Sequence, residues 1–201
     1  MDPWLSIFFA FLAGYALGSI PFGVFLARCR GVAILSCGSG NPGATNVCRC
    51  VGRGMAWLVF ALDAAKGAVS IGCPSYLAPG WPMLPAVAFT GAVLGHCFSP
   101  LLSFRGGRGV AVAVGGLAIW MPNVLLIAAI TWLVLFFTTR FVSLASLGLA
   151  LTLPLCSYLF GKTFWENCFI TGLAIFLLLR HLPNIHRLLS GTEHRFGRKD
   201  G

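Results

Sequence analysis

Negative charge is the scarcest feature of this sequence. Five of 201 residues are Asp or Glu, against fourteen Lys or Arg, a formal net charge of +9. A magnesium or other hard-cation site needs several carboxylates, so the scarcity argues against one, and no metal or organic cofactor is implied. A His-x4-Asp base is also missing: the fifth residues after His96, His181 and His194 are Leu101, His186 and Lys199. There is no Gly-x-Ser-x-Gly elbow to carry a serine nucleophile. No basic run is interleaved with aromatics, so nucleic acid is set aside as a partner. The eight cysteines (Cys29, Cys37, Cys48, Cys50, Cys73, Cys97, Cys156, Cys168) form no CxxC pair and no Cys/His metal set. They are read as small, buried, reduced residues and not as a disulfide framework. No internal repeat stands out, which disfavours a transporter of a phosphorylated metabolite, the main alternative to an enzyme. A non-catalytic scaffold is the third reading.

What is present in abundance is apolar surface. Hydrophobic residues make up 58% of the chain and charged residues 9%, the profile of an all-α integral membrane protein with short loops. Residues 1–201 read as a single polytopic domain with seven spans, at about 4–26, 54–73, 83–102, 110–121, 124–138, 142–160 and 164–179. Asp2 precedes the first span and Arg28 and Arg30 follow it. A signal peptide has the reverse order of charge, so the N-terminus is expected outside and the C-terminus in the cytoplasm. Residues 110–121 are short for a span, at roughly 18 Å against a roughly 30 Å core. Fusing them with the next segment would put Arg140, Arg180, Arg187, Arg195, Arg198 and Lys199 outside, against the positive-inside rule. Separate helices are therefore expected. Asp63 and Lys66 share a helix face inside the second span. They read as a buried ion pair, or as one group lining a polar site.

Four polar, basic segments then fall on one cytoplasmic face: residues 37–49, 95–109, 139–146 and 180–187. The first is Cys-Gly-Ser-Gly-Asn-Pro-Gly-Ala-Thr-Asn-Val-Cys-Arg. Such a run cannot face lipid. Its glycines allow positive φ, so that backbone N–H groups can converge on an anion. The second segment sets Gly106-Gly107 between Arg105 and Arg108 just before a helix start near Val110. Ser143 and Ser146 share a face, though serines in membrane helices usually bond their own backbone. His181 and Asn184 share a face if the helix runs on, and Pro183 could open a fresh turn. The tail from Gly191 is expected to be loose near anionic lipid. Convergence of Arg, Gly, Ser and Asn suggests recognition of phosphate.

These residues resemble the bacterial PlsY family of membrane acyl-phosphate:glycerol-3-phosphate acyltransferases. The likeness lies in Gly38-Ser39-Gly40-Asn41-Pro42-Gly43-Ala44-Thr45-Asn46 with Arg49, in Gly18–Gly23, and in Asp63–Lys66-Gly67. It continues through Gly95-His96 to Phe104-Arg105-Gly106-Gly107-Arg108-Gly109, Ser143–Ser146 and His181/Asn184. The resemblance implies transfer of a fatty acyl group from acyl phosphate to the 1-hydroxyl of glycerol 3-phosphate, at the cytoplasmic side of the bacterial inner membrane. The product would be lysophosphatidic acid, the first intermediate of phospholipid synthesis. By motif, Ser39, Arg49 and Arg108 are expected to be catalytic. Gly38, Gly40, Asn41, Gly43, Thr45, Asn46, His96, Gly106, Gly107, Ser143, Ser146, His181 and Asn184 are expected to bind substrate. The family usually has Lys at the position of Arg108. Arg keeps the charge but is larger and planar: it would impair the site if Lys were needed there as a proton carrier, and would serve if the residue only clamps phosphate, which is the favoured role.

Overall fold

In the computed structural model, residues 2–78, 80–81 and 83–197 are described. Their regular structure is entirely helical. The α-helices are α1 (Pro3–Ser19), α2 (Phe22–Arg28), α3 (Ala44–Cys50), α4 (Arg53–Leu77), α5 (Met83–Cys97), α6 (Val110–Trp120), α7 (Pro122–Thr139), α8 (Val142–Leu159), α9 (Phe164–Arg180) and α10 (Leu182–Leu189). Each of the seven predicted segments is helical. Five stretches are long and apolar enough to cross a membrane, and a sixth is added if α9 and α10, bent by 55°, count together. The helix α6 is apolar but only 11 residues long. It is separate from α7: the backbone leaves helical geometry at Met121, and Pro122 opens the next helix.

The chain divides into two compact units, Met1–Trp120 and Met121–Gly201. In the first, α1 packs on α5 and α4 on α6, backbone against backbone. A Cβ at Gly18 would lie 2.1 Å from the Ala92 carbonyl oxygen, and one at Gly115 would lie 1.8 Å from that of Ala64. Lipid offers no hydrophobic drive for helices to associate, so close approach through small residues supplies the attraction instead. The large side chains turn outward: Trp4, Leu5, Phe8, Phe9 and Leu12 form an exposed stripe on α1 at helical spacing. The break at Ile20-Pro21 leaves carbonyls without helical partners. Lys66 of α4 donates to the Gly18 carbonyl at 3.4 Å and to that of Ile20. Its charge is matched by Asp63 at 2.7 Å. The expected buried ion pair is therefore present, and it seals the break. Below it, α2, α3 and the turn before α3 close around Val24, Ala27, Ile34, Val47 and Val59.

In the second unit, α7, α8 and α9 pack in succession. His181 ends α9 and begins α10, with Pro183 in the first turn of the new helix, as the Pro183 reading anticipates. Two expectations are corrected. The cysteines are not all reduced and buried: Cys37 and Cys50 are bonded, with Cα atoms 6.3 Å apart, and Cys29, Cys73 and Cys168 are exposed. The pairing comes from the loop folding back on itself, which spacing alone does not reveal. Nor is the tail loose as far as Gly197. Phe196 donates its N–H to the Arg140 carbonyl at 2.8 Å and its ring meets Phe136 at 5.3 Å. Residues 198–201 lie outside the described residues.

Candidate active site

The signature loop of the first unit is built around Asn46. A 3-10 turn over Ile34–Ser36 delivers Cys37, and Gly38 and Gly40 then take φ of 57° and 67°, a region open to glycine at little cost. The buried Asn46 amide donates to the carbonyls of Ile34 and Cys37, at 3.2 and 2.9 Å, and accepts from the Ser39 N–H at 2.9 Å. A Cβ at Gly38 would meet Asn46 Oδ1 at 2.4 Å. Asn41 accepts from the Gly43 N–H at 2.8 Å, and the Gly40 N–H donates to Cys37. The N–H groups of Ser39, Gly40 and Gly43 thus have partners inside the loop. The positive φ of Gly38 and Gly40 serves the turn. Asn46 is a scaffold residue, buried at 1% exposure. Ser39 and Thr45 are half-buried, and Arg49 is exposed near the end of α3.

The second polar segment follows α5. Ser99 Oγ donates to the Ser19 carbonyl at 2.6 Å, and Ser103 and Phe104 turn the chain through positive φ. The chain then runs back along the end of α5: Gly106 N–H donates to Cys97 O at 3.1 Å and Gly107 N–H to His96 O at 3.0 Å. Arg108, half-buried, comes two residues before α6. The two polar segments meet at the α1 break, where Pro42 of the first and His96, Ser99 and Leu102 of the second line one cavity of about 10 Å³ with Asp63. His96 Nδ1 lies 3.6 Å from Asp63 Oδ1. Sequence spacing did not pair these two residues, because they come from different helices.

The second unit has its own polar cluster. Ser146 Oγ donates to the Val142 carbonyl at 2.9 Å and accepts from Trp132 Nε1 at 3.4 Å. His181, 2% exposed, has Nδ1 2.8 Å from the Leu177 carbonyl. A carbonyl only accepts, so Nδ1 carries a proton there. The organising group is one the motif reading missed. Glu193 accepts from Asn184 Nδ2 at 2.8 Å and from Arg187 Nε at 2.7 Å. Burial raises its carboxyl pKa, but the hydrogen bonds from Arg187 and Asn184 outweigh that and hold it below its ordinary value. Because the carboxylate takes the Asn184 amino group, the Asn184 carbonyl oxygen is turned the other way. It is buried with no hydrogen-bond partner of its own. A lone acid in a basic tail was the available signal.

Comparison with known proteins agrees with the motifs. The glycerol-3-phosphate acyltransferase family profile matches residues 8–191. A glycerol-3-phosphate acyltransferase of Synechococcus sp. (strain JA-3-3Ab) is 42% identical over 200 residues, covering 99% of this chain and 98% of that protein. One from Nitrobacter winogradskyi is 44% identical over 193 residues, covering 94% and 96%. Crystal structures of PlsY, an integral membrane glycerol 3-phosphate acyltransferase, superpose with TM-scores of 0.90 for the glycerol 3-phosphate form and 0.88 for the lysophosphatidic acid form. Both are 36% identical to this chain, with 96% of each chain covered. With its membrane-type helices, its polar segments and these likenesses, the chain belongs to the PlsY family of glycerol-3-phosphate acyltransferases.

Proposed function

We propose that this acyltransferase uses acyl phosphate as donor and acts from the cytoplasmic face of a bacterial inner membrane, with seven spans and its N-terminus outside. The 1-hydroxyl oxygen of glycerol 3-phosphate attacks the acyl carbonyl carbon. A C–O bond forms, the bond from that carbon to the phosphate oxygen breaks, and the hydroxyl proton leaves with inorganic phosphate. The other product is 1-acylglycerol 3-phosphate. An acyl phosphate is already a mixed anhydride, so positioning and charge stabilisation supply most of the rate and no acyl-enzyme is needed. Arg49 and Arg108 clamp phosphate groups, Arg in forked, bidentate fashion, and Ser39 touches the reacting groups. Ser146, His181 and Asn184 of the second unit are assigned to glycerol 3-phosphate.

The carrying observation is the chemical character of the polar segments. They hold arginines and small polar side chains, and the two carboxylates beside them are committed, Asp63 to Lys66 and Glu193 to Arg187 and Asn184. A CoA thioester needs a base to activate the acceptor, whereas an acyl phosphate brings its own phosphate to take the proton. The test is purified protein with labelled glycerol 3-phosphate and, in parallel, palmitoyl phosphate or palmitoyl-CoA. Lysophosphatidic acid from the phosphate alone is expected. Product from the CoA ester, or a trapped acyl-enzyme, would overturn the donor or the direct attack.

A further inference from the structure

We propose that Asp63 and His96 act together as positioning residues for the Gly106–Gly107 turn, and that through it they set the affinity for glycerol 3-phosphate. The inference rests on the reading that the segment ending at Arg108 binds the substrate phosphate. His96 touches both glycines, by two different parts of itself. Its main-chain oxygen accepts from Gly107 N–H at 3.0 Å, and sits where a Cβ at Gly106 would be, 2.1 Å away. Its ring edge at Nε2 fills the place of a Cβ at Gly107, also 2.1 Å away. The imidazole is thus a wall of the turn, and its rotation fixes where Gly107, and Arg108 after it, can lie.

Asp63 holds that rotation. One carboxylate oxygen, Oδ1, lies 2.7 Å from Lys66 Nζ and 3.6 Å from His96 Nδ1, with Asp63 3% exposed. Lys66 is pinned in turn by the Gly18 and Ile20 carbonyls and by the Phe22 ring, 4.7 Å from its Nζ. The carboxylate therefore has a fixed neighbour on one side and the imidazole on the other. The arrangement does not suit a general base. Nε2 abuts backbone, and a cavity of about 10 Å³ beside the pair holds no more than about one water. His96 thereby passes from substrate-binding to positioning.

The test compares Asp63→Asn, His96→Gln, the double variant and Arg108→Ala, each purified and checked for folding by thermal unfolding. The expected result is a KM for glycerol 3-phosphate raised about tenfold or more in each single variant, with kcat and the KM for acyl donor changed much less. The Asp63/His96 double variant is expected to match one single variant, because the two act through one contact chain. Lowered kcat at unchanged KM, or fully additive effects, overturns the pairing. If Asp63→Asn fails to fold, His96→Gln still reads the KM; if neither folds, the pair is only a structural lock and the proposal falls. If Arg108→Ala leaves the glycerol 3-phosphate KM unchanged, the phosphate reading itself is at fault. If Arg108→Ala raises it while Asp63→Asn and His96→Gln do not, the positioning proposal alone is wrong.

Discussion

Four of the five acidic residues lie in the described part of the chain, and each has a defined structural job. Asp2 caps α1 by accepting from the Trp4 N–H at 2.8 Å. Glu166 closes a capping box with Thr163 at the start of α9. Asp63 neutralises Lys66, and Glu193 joins Asn184 and Arg187. With Glu193 only 5% exposed, Glu193→Gln is expected to lower stability by about 1.5–3 kcal/mol, the range for hydrogen bonds to a charged group. The pH sign follows from its depressed pKa. The contribution is full above the titration of the unfolded carboxylate, and is lost as pH falls through the lower pKa of the folded protein. Thermal unfolding against pH checks it: wild type and Glu193→Gln are expected to converge on the acid side. At Arg108 the clamp reading predicts that Arg108→Lys keeps glycerol 3-phosphate acylation within about tenfold, since a point charge still holds phosphate. Steady-state rates of the two proteins measure this directly.

Among the elements, helix contacts in the first unit depend on single missing methyl groups. In α4, Gly67 and Gly72 are five residues apart and look alike in sequence. A Cβ at Gly67 would stand 1.9 Å from the Val112 carbonyl oxygen, whereas one at Gly72 meets nothing within 4 Å. Gly67→Ala is expected to push α4 from α6 and cost about 1–3 kcal/mol. Gly72→Ala is expected to be neutral or to gain up to about 1 kcal/mol, from helix propensity. Unfolding midpoints of the two variants in one detergent separate them. The signature loop shows the same dependence on packing. Its glycine pattern reads from sequence as an anion cradle. In the folded loop, Asn46 and Asn41 occupy the Ser39 and Gly43 N–H groups, a pairing that the sequence pattern does not reveal.

For the whole molecule, seven crossings place the termini on opposite faces, and six place them on one. A reporter fused to each terminus in cells distinguishes them: the proposed topology expects an N-terminal tag outside and a C-terminal tag inside. Cys29 gives a second check. It is exposed beside Arg28 and Arg30, and an impermeant maleimide is expected to label it only in opened cells.

Composition by itself determined the membrane class. The helical segments were legible to within a few residues, because lipid satisfies no backbone group and each apolar run must be helical along its length. The separate short α6 and the fresh turn at Pro183 were legible too, from charge placement and proline chemistry. The motifs sufficed to find the family, since their order and spacing are retained along nearly the whole chain. Tertiary structure alone decided the partners. The imidazole of His96 meets the carboxylate of Asp63, Glu193 gathers Asn184 and Arg187, and Cys37 closes on Cys50, because folding brings together residues that linear spacing keeps apart. A one-dimensional pattern records which groups are available, but contact at 3 Å depends on how close two backbones can come. In this chain that distance is set by glycines such as Gly18, Gly67 and Gly107, whose importance lies in what they touch.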